Sequence, residues 1–108
     1  MKQIEYHKLV RDRIPEIIEQ DGKKCICSIL PEQDYIDMLD QKLNEELAEY
    51  QESKSMEELA DLLEVMIAVS AARGGSIDEV ERIRIRKKEK RGGFEKKILL
   101  ETVIEQEG

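Results

Sequence analysis

Two helix-forming stretches, 33–53 and 55–73, follow one another with almost nothing between them. In the first, Ile36, Leu39, Leu43, Leu47 and Tyr50 recur at helical spacing along one stripe. In the second, "SMEE" at 55–58 restarts the helical pattern with Ser55 as N-cap, and the stretch runs to about Arg73 before Gly74-Gly75. A turn this short, around Ser53–Lys54, makes the two helices antiparallel neighbours. An antiparallel helical hairpin is therefore the expected nucleus of an all-α fold.

The flanking segments read less regularly. "RDRIPEIIEQDG" suits a short helix, with Asp12 as N-cap, Pro15 tolerated in the first turn and Gly22 as the stop. "KKCICSIL" alternates like a strand, and "SIDE" at 76–79 is a capping box opening a basic helix that stops at Gly92-Gly93. The tail "KKILLETVI" fits a strand or a short helix. As a strand it would pair with 24–30, making a small two-stranded ribbon (24–30 with 96–102) beside the helices. Cys25 and Cys27 would share one face of such a strand, too far apart for an unstrained bridge. With no third cysteine and His7 the only histidine, they read as small buried hydrophobes rather than zinc ligands.

At 108 residues the chain is long enough for one domain, 1–108. Its core would be modest, and a small protomer with very apolar helices often completes its core by oligomerising, as a dimer or tetramer. No run of about 18 apolar residues exists to span a membrane, and "MKQIEYHKLV" lacks the apolar region of a signal peptide, so a cytoplasmic protein is expected. A net charge of −7 argues against nucleic acid as partner. The charge is segregated: residues 32–64 hold twelve acids and two lysines, and residues 82–97 hold nine bases and two acids. Two solvated helix faces, or a site with one acidic and one basic wall, both fit that pattern.

Several of the acids fall where a hairpin needs apolar residues. On a helical projection Glu46 lies roughly 60° from the centre of the first stripe and Glu49 about 120° away on the same side, whereas Glu45 and Glu52 point to solvent. In the second helix Glu58 projects into an apolar arc and Asp61 lies at its border. Glu58 has a purely structural alternative: as the fourth residue of S-x-x-E, it can reach back to the Ser55 N–H. Folding the hairpin about its midpoint sets Glu49 opposite Glu58 and Glu46 opposite Asp61. Four unpaired carboxylates in one half-buried spot would be forced to protonate, and a divalent cation resolves that conflict. All-oxygen ligation suits Mg²⁺ or Mn²⁺; a di-iron site would need Glu-x-x-His pairs, and these helices hold no histidine.

A carboxylate-held Mg²⁺ keeps positions open for water and substrate phosphates. Lys8, Arg11, Arg13 and the basic helix could supply the opposing positive charge. The Gly pair either stops a helix or admits a phosphate, and Phe94 either anchors the core or stacks on a base. The chemistry expected is hydrolysis of a phosphoanhydride, with a carboxylate taking a proton from water. No Ser-His-Asp or Cys-His set and no phosphate-binding glycine loop is present.

The acidic pattern, Glu45-Glu46-x-x-Glu49 followed by Glu58-x-x-Asp61, resembles the motif of the all-α nucleoside triphosphate pyrophosphohydrolases, which include MazG proteins, dimeric dUTPases and phosphoribosyl-ATP pyrophosphohydrolases. "YHKLVRDRIPEII" at 6–18 and "KRGGFEKKILLE" at 90–101 are similar to a narrower group, phosphoribosyl-ATP pyrophosphohydrolase-like or house-cleaning hydrolases. The resemblance implies a helical core, obligate oligomers, Mg²⁺ dependence, and cleavage between the α and β phosphates to a monophosphate and pyrophosphate. Carried over by position, Glu46, Glu49, Glu58 and Asp61 would ligate metal. Glu45 or Glu46 would orient or deprotonate water, and Lys8, Arg11 and Arg91 would touch phosphate; Phe94 joins the substrate-binding set from its place beside the Gly pair. Eight residues separate Glu49 from Glu58, fewer than is typical of MazG. The competing reading is a catalytically silent helical oligomer that binds nucleotides or a protein partner as a regulator.

Overall fold

The computed structural model describes residues 2–107, and among these the secondary structure is entirely helical. The helices are α1 (Ile14–Gln20), α2 (Glu32–Ser53), α3 (Met56–Ala72) and α4 (Ile77–Arg91). The chain falls into two compact units, one ending at Ile77 and one beginning at Asp78. No helix among the described residues is long and apolar enough to cross a membrane.

The first unit is organised by the α2–α3 hairpin, whose helices pack on each other. Along α2 the less exposed residues include Ile36, Leu39, Leu43, Glu46 and Tyr50, at alternating spacings of three and four. Along α3 they include Glu58, Leu62, Val65, Val69 and Ala72. This is the spacing of a helix–helix seam. Glu46 occupies a seam position that the sequence pattern assigns to Leu47, and Leu47 is left 45% exposed. The centre of the seam lies rotated from the apolar stripe, towards Glu46.

A two-residue link closes the hairpin. Lys54 adopts a left-handed conformation (φ 56°) and donates its N–H to the Tyr50 carbonyl at 2.7 Å. Ser55 is extended and caps α3, its Oγ accepting the Glu58 N–H at 3.2 Å. The reciprocal half of a capping box is not made: the Ser55 N–H donates to Ser53 Oγ at 3.3 Å. The Glu58 carboxylate is thereby released from a capping role. At the other end of the hairpin, Arg73 donates to Asp40 Oδ2 at 2.6 Å, and Gly74 and Gly75 end α3 with bonds to the Ala71 and Ser70 carbonyls.

Three sequence expectations fail around this hairpin. Asp12 does not cap α1; Arg13 holds the cap position, with no side-chain cap bond, and Pro15 falls in the first turn as expected. The ribbon of 24–30 with 96–102 does not form, because neither segment is a strand. Ile26 and Ile29 are 100% and 97% exposed, and the alternation of apolar residues there has no sheet to face. Cys27 is exposed rather than buried, and without the spacing of a strand its Sγ comes within 3.9 Å of the half-buried Cys25 Sγ.

In the second unit α4 carries Asp78 and Glu79 in its first turn and Lys88, Lys90 and Arg91 in its last, complementing the helix dipole at both ends. Arg84 grips Glu81 with both Nε and Nη2. That bond holds the Glu81 carboxyl below its ordinary range. The helix ends at Gly92, whose φ of 83° favours glycine. Phe94 is 98% exposed, so it is not the core anchor that its apolar ring allowed.

The left-handed Lys54 yields a test of the link. Lys54→Val places a β-branched side chain at positive φ and should cost about 1 kcal/mol. That should lower the melting temperature by about 5 °C in a thermal scan. Lys54→Asn, which tolerates that conformation, should melt close to wild type.

Candidate metal centre

The hairpin's register brings acids from both helices to one place. Glu46 lies in the middle of the α2 seam, while Glu58 and Asp61 lie one turn apart near the start of α3. One carboxylate oxygen from each of the three lies within 4.8 Å of the others. Glu46 is only 8% exposed and is the one charged residue among the described residues that is buried. Its Oε2, and Oε2 of Glu58, are buried without a hydrogen-bond partner.

The basic groups nearby reach the rim of this cluster. Lys42 Nζ, one turn before Glu46, lies 3.6 Å from Glu46 Oε1 and 3.5 Å from Glu45 Oε2. Arg11 Nη2 donates to Asp61 Oδ1 at 2.8 Å. Neither reaches the orphaned oxygens of Glu46 and Glu58. Three carboxylates therefore lie together, with one oxygen of Glu46 and one of Glu58 uncompensated.

The titration behaviour follows. Glu46 is pushed above its ordinary value of 4.5, first by burial and then by the negative charge of Glu49, with Lys42 opposing. Glu58 is raised too, again first by burial and then by Glu49, with Asp61 and Glu46 adding to it. The approach of Glu58 to Glu49 becomes a hydrogen bond only when the two share a proton. Near neutral pH the cluster must hold a proton it would rather lose, bear the repulsion, or bind a cation.

The donor set fits a hard divalent cation. All the ligand atoms are carboxylate oxygens, and oxygens around Mg²⁺ at about 2.1 Å from the metal lie about 3–4 Å apart. Closing the trio onto an ion requires only small side-chain movements. Two buried oxygens without a partner, one on Glu46 and one on Glu58, are what such an ion satisfies.

Of the residues singled out from sequence, the hairpin gathers Glu46, Glu58 and Asp61. Glu49 is exposed at the edge, outside the trio but near enough to raise both Glu46 and Glu58. Glu45 is half-exposed on Lys42. Lys8 is exposed, whereas Arg11 sits on the acidic cluster itself. Arg91 and Phe94 belong to the unit that begins at Asp78. Sequence reasoning missed Lys42, although its position three and four residues before Glu45 and Glu46 is a recognisable helical pair.

The raised carboxyls give stability a definite pH dependence. The folded chain binds protons at Glu46 and Glu58 that the unfolded chain has released, so their contribution falls as pH rises from 4.5 through the raised values. In EDTA at neutral pH, Glu46→Gln should melt above wild type, and the gap should close as pH falls towards 4.5. Millimolar Mg²⁺ should raise the wild-type melting temperature and leave that of Glu46→Gln nearly unmoved.

No protein-family model matches the chain, and no solved structure matches it. A protein of Mycolicibacterium smegmatis (strain ATCC 700084 / mc(2)155), described as uncharacterized, is 48% identical over 42 residues. The match covers 39% of this chain and 43% of that protein, so the chain matches less than half the length of its relative.

Proposed function

We propose that the chain is a Mg²⁺-dependent nucleotide pyrophosphohydrolase, with Mn²⁺ as a substitute ion. It would cleave the α–β phosphoanhydride of a cytoplasmic nucleoside triphosphate or similar compound to a monophosphate and pyrophosphate. The observation that carries this reading is the pair of orphaned buried oxygens on Glu46 and Glu58, beside Asp61, in a hairpin otherwise packed with apolar side chains. The acidic motif's resemblance to the all-α pyrophosphohydrolases supplies the reaction class.

In this reading Glu46, Glu58 and Asp61 hold the cation, and Glu49 extends the acidic rim. The ion, when bound, neutralises phosphate charge and acidifies a water molecule. Glu45 or Glu46 would orient a water molecule and take its proton, and Lys42 bridges both side chains. The water oxygen bonds to the α-phosphorus, the α–β bridging bond breaks, and its electrons leave with pyrophosphate. Lys8 and Arg11 offer positive charge to the phosphates from the segment before α1. Arg91 enters the proposal on resemblance alone, and Phe94 on its place in sequence beside Gly92-Gly93.

A second copy of the chain belongs to the same proposal. Among the described residues Leu39 is the one buried apolar side chain, at 5% exposure. Leu59, Leu63, Met66 and Ile67 form a second apolar stripe on α3 and are 37–50% exposed. So little burial cannot offset the conformational entropy of a chain this long, and a matching hairpin laid on that stripe completes a bundle core.

Two measurements test the proposal. Incubation with nucleoside triphosphates and Mg²⁺ should release pyrophosphate and monophosphate, not orthophosphate and diphosphate, and Glu58→Gln should lower the rate by about 100-fold or more. Diphosphate as the product, or equal rates in the two proteins, would refute the assignment. In sedimentation, the wild type should run as a dimer or larger species. Leu63→Glu, which puts a charge in the stripe, should shift it to smaller species and lower its melting temperature.

A further inference from the structure

Arg11 is the polar side chain that ties the segment before α1 to the hairpin, and the group it holds belongs to the metal centre. Its Nη2 lies 2.8 Å from Asp61 Oδ1, across 50 residues of sequence. Its backbone is set by a turn in which the Ile14 N–H donates to the Arg11 carbonyl at 3.0 Å. Asp61 is thus shared between the Arg11 guanidinium and the carboxylate trio of Glu46, Glu58 and Asp61. The acidic cluster does not stand alone as evidence for a metal ion, because Glu46 is a buried residue, 8% exposed, and its Oε2 and that of Glu58 are shielded from solvent without a partner.

We propose that Arg11 is an exchangeable counter-cation of Asp61, displaced by the metal ion and handed over to the anionic group that the ion brings with it. This rests on the metal-dependent reading above. Two cations cannot share one carboxylate at a few ångströms without strong mutual repulsion. The pair is open to water, with the Arg11 and Asp61 side chains 58% and 43% exposed. An exposed ion pair of this kind is weak, so exchange is easy. Once released, the guanidinium stays tethered by the turn at Ile14, within reach of the centre. Carboxylate-bound Mg²⁺ keeps positions for phosphate oxygens, and an arginine fork matches phosphate with two parallel bonds. Arg11 therefore opposes the metal alone and favours the metal together with a phosphate-bearing ligand. That makes ion and substrate uptake cooperative through one side chain.

The signature is a pair of effects of opposite sign, which loss of structure cannot produce. Mn²⁺ alone, titrated into the full chain and followed by electron paramagnetic resonance, should bind Arg11→Met about five- to tenfold more tightly than wild type. An α,β-methylene nucleoside triphosphate, titrated at saturating Mg²⁺, should bind the same variant about tenfold more weakly. Arg11→Lys keeps the competing charge and should bind Mn²⁺ like wild type. Arg13→Met removes a charge two residues away that is paired with Glu16, and should change Mn²⁺ affinity by about twofold at most in physiological salt. The proposal is overturned if Arg11→Met binds Mn²⁺ no more tightly than wild type, or if Arg13→Met tightens it equally. If wild type and Glu46→Gln both fail to take up Mn²⁺, the metal-dependent reading itself falls. Uptake that needs Glu46 but ignores Arg11 removes the exchange alone.

Discussion

A single buried carboxylate governs this protein. Glu46 occupies a position in the α2–α3 seam that packing would give to an apolar residue, and one of its oxygens has no partner. Removing an ionised group from water without compensation is among the most unfavourable things a fold can do. Lys42 stands against the other oxygen, and Glu58 and Asp61 lie close enough to Glu46 to form a group that could hold a cation. Charge, not shape, thus sets the demand that the rest of the hairpin meets.

Helix α3 answers two demands at once. One face carries Glu58, Asp61 and Leu62 against α2, and the opposite face carries Leu59, Leu63, Met66 and Ile67 outward. Its apolar arc is too wide for one neighbour to cover. The acids interrupt that arc only near the N-terminal end, within two turns of the link, and leave the rest of the helix for packing. Chemistry and cohesion are separated along the helix axis as well as around it.

Much of this was legible in the residues themselves. The brevity of the link predicted an antiparallel pair, and the pairing of Glu46 with Asp61 and of Glu49 with Glu58 follows from folding the sequence about its midpoint. The wheel also separated Glu46 from Glu45, setting Glu46 at the stripe's edge and Glu45 towards solvent; Glu46 is buried, and Glu45 is half-exposed on Lys42. It could not find the centre of the seam, because an apolar stripe that serves two neighbours points between them; hence Leu47 was assigned inward and is exposed. The ribbon failed for a different reason. Alternation in "KKCICSIL" measures a preference for extended backbone, but a sheet needs a partner that local pattern does not specify. Arg11 was read as a phosphate ligand, and nothing in its neighbours' spacing pointed to Asp61, 50 positions away.

The two-residue link between α2 and α3 bears on how such a chain can change over generations. Lys54 and Ser55 already form a minimal bridge, one residue left-handed and the next a cap. An inserted codon adds slack that the packed seam can absorb without moving. A deleted codon finds no slack and must be taken from a helix, turning everything beyond it by about 100°. Drift in length at this bend is therefore one-directional: lineages are free to grow the loop, and the present chain stands at its floor.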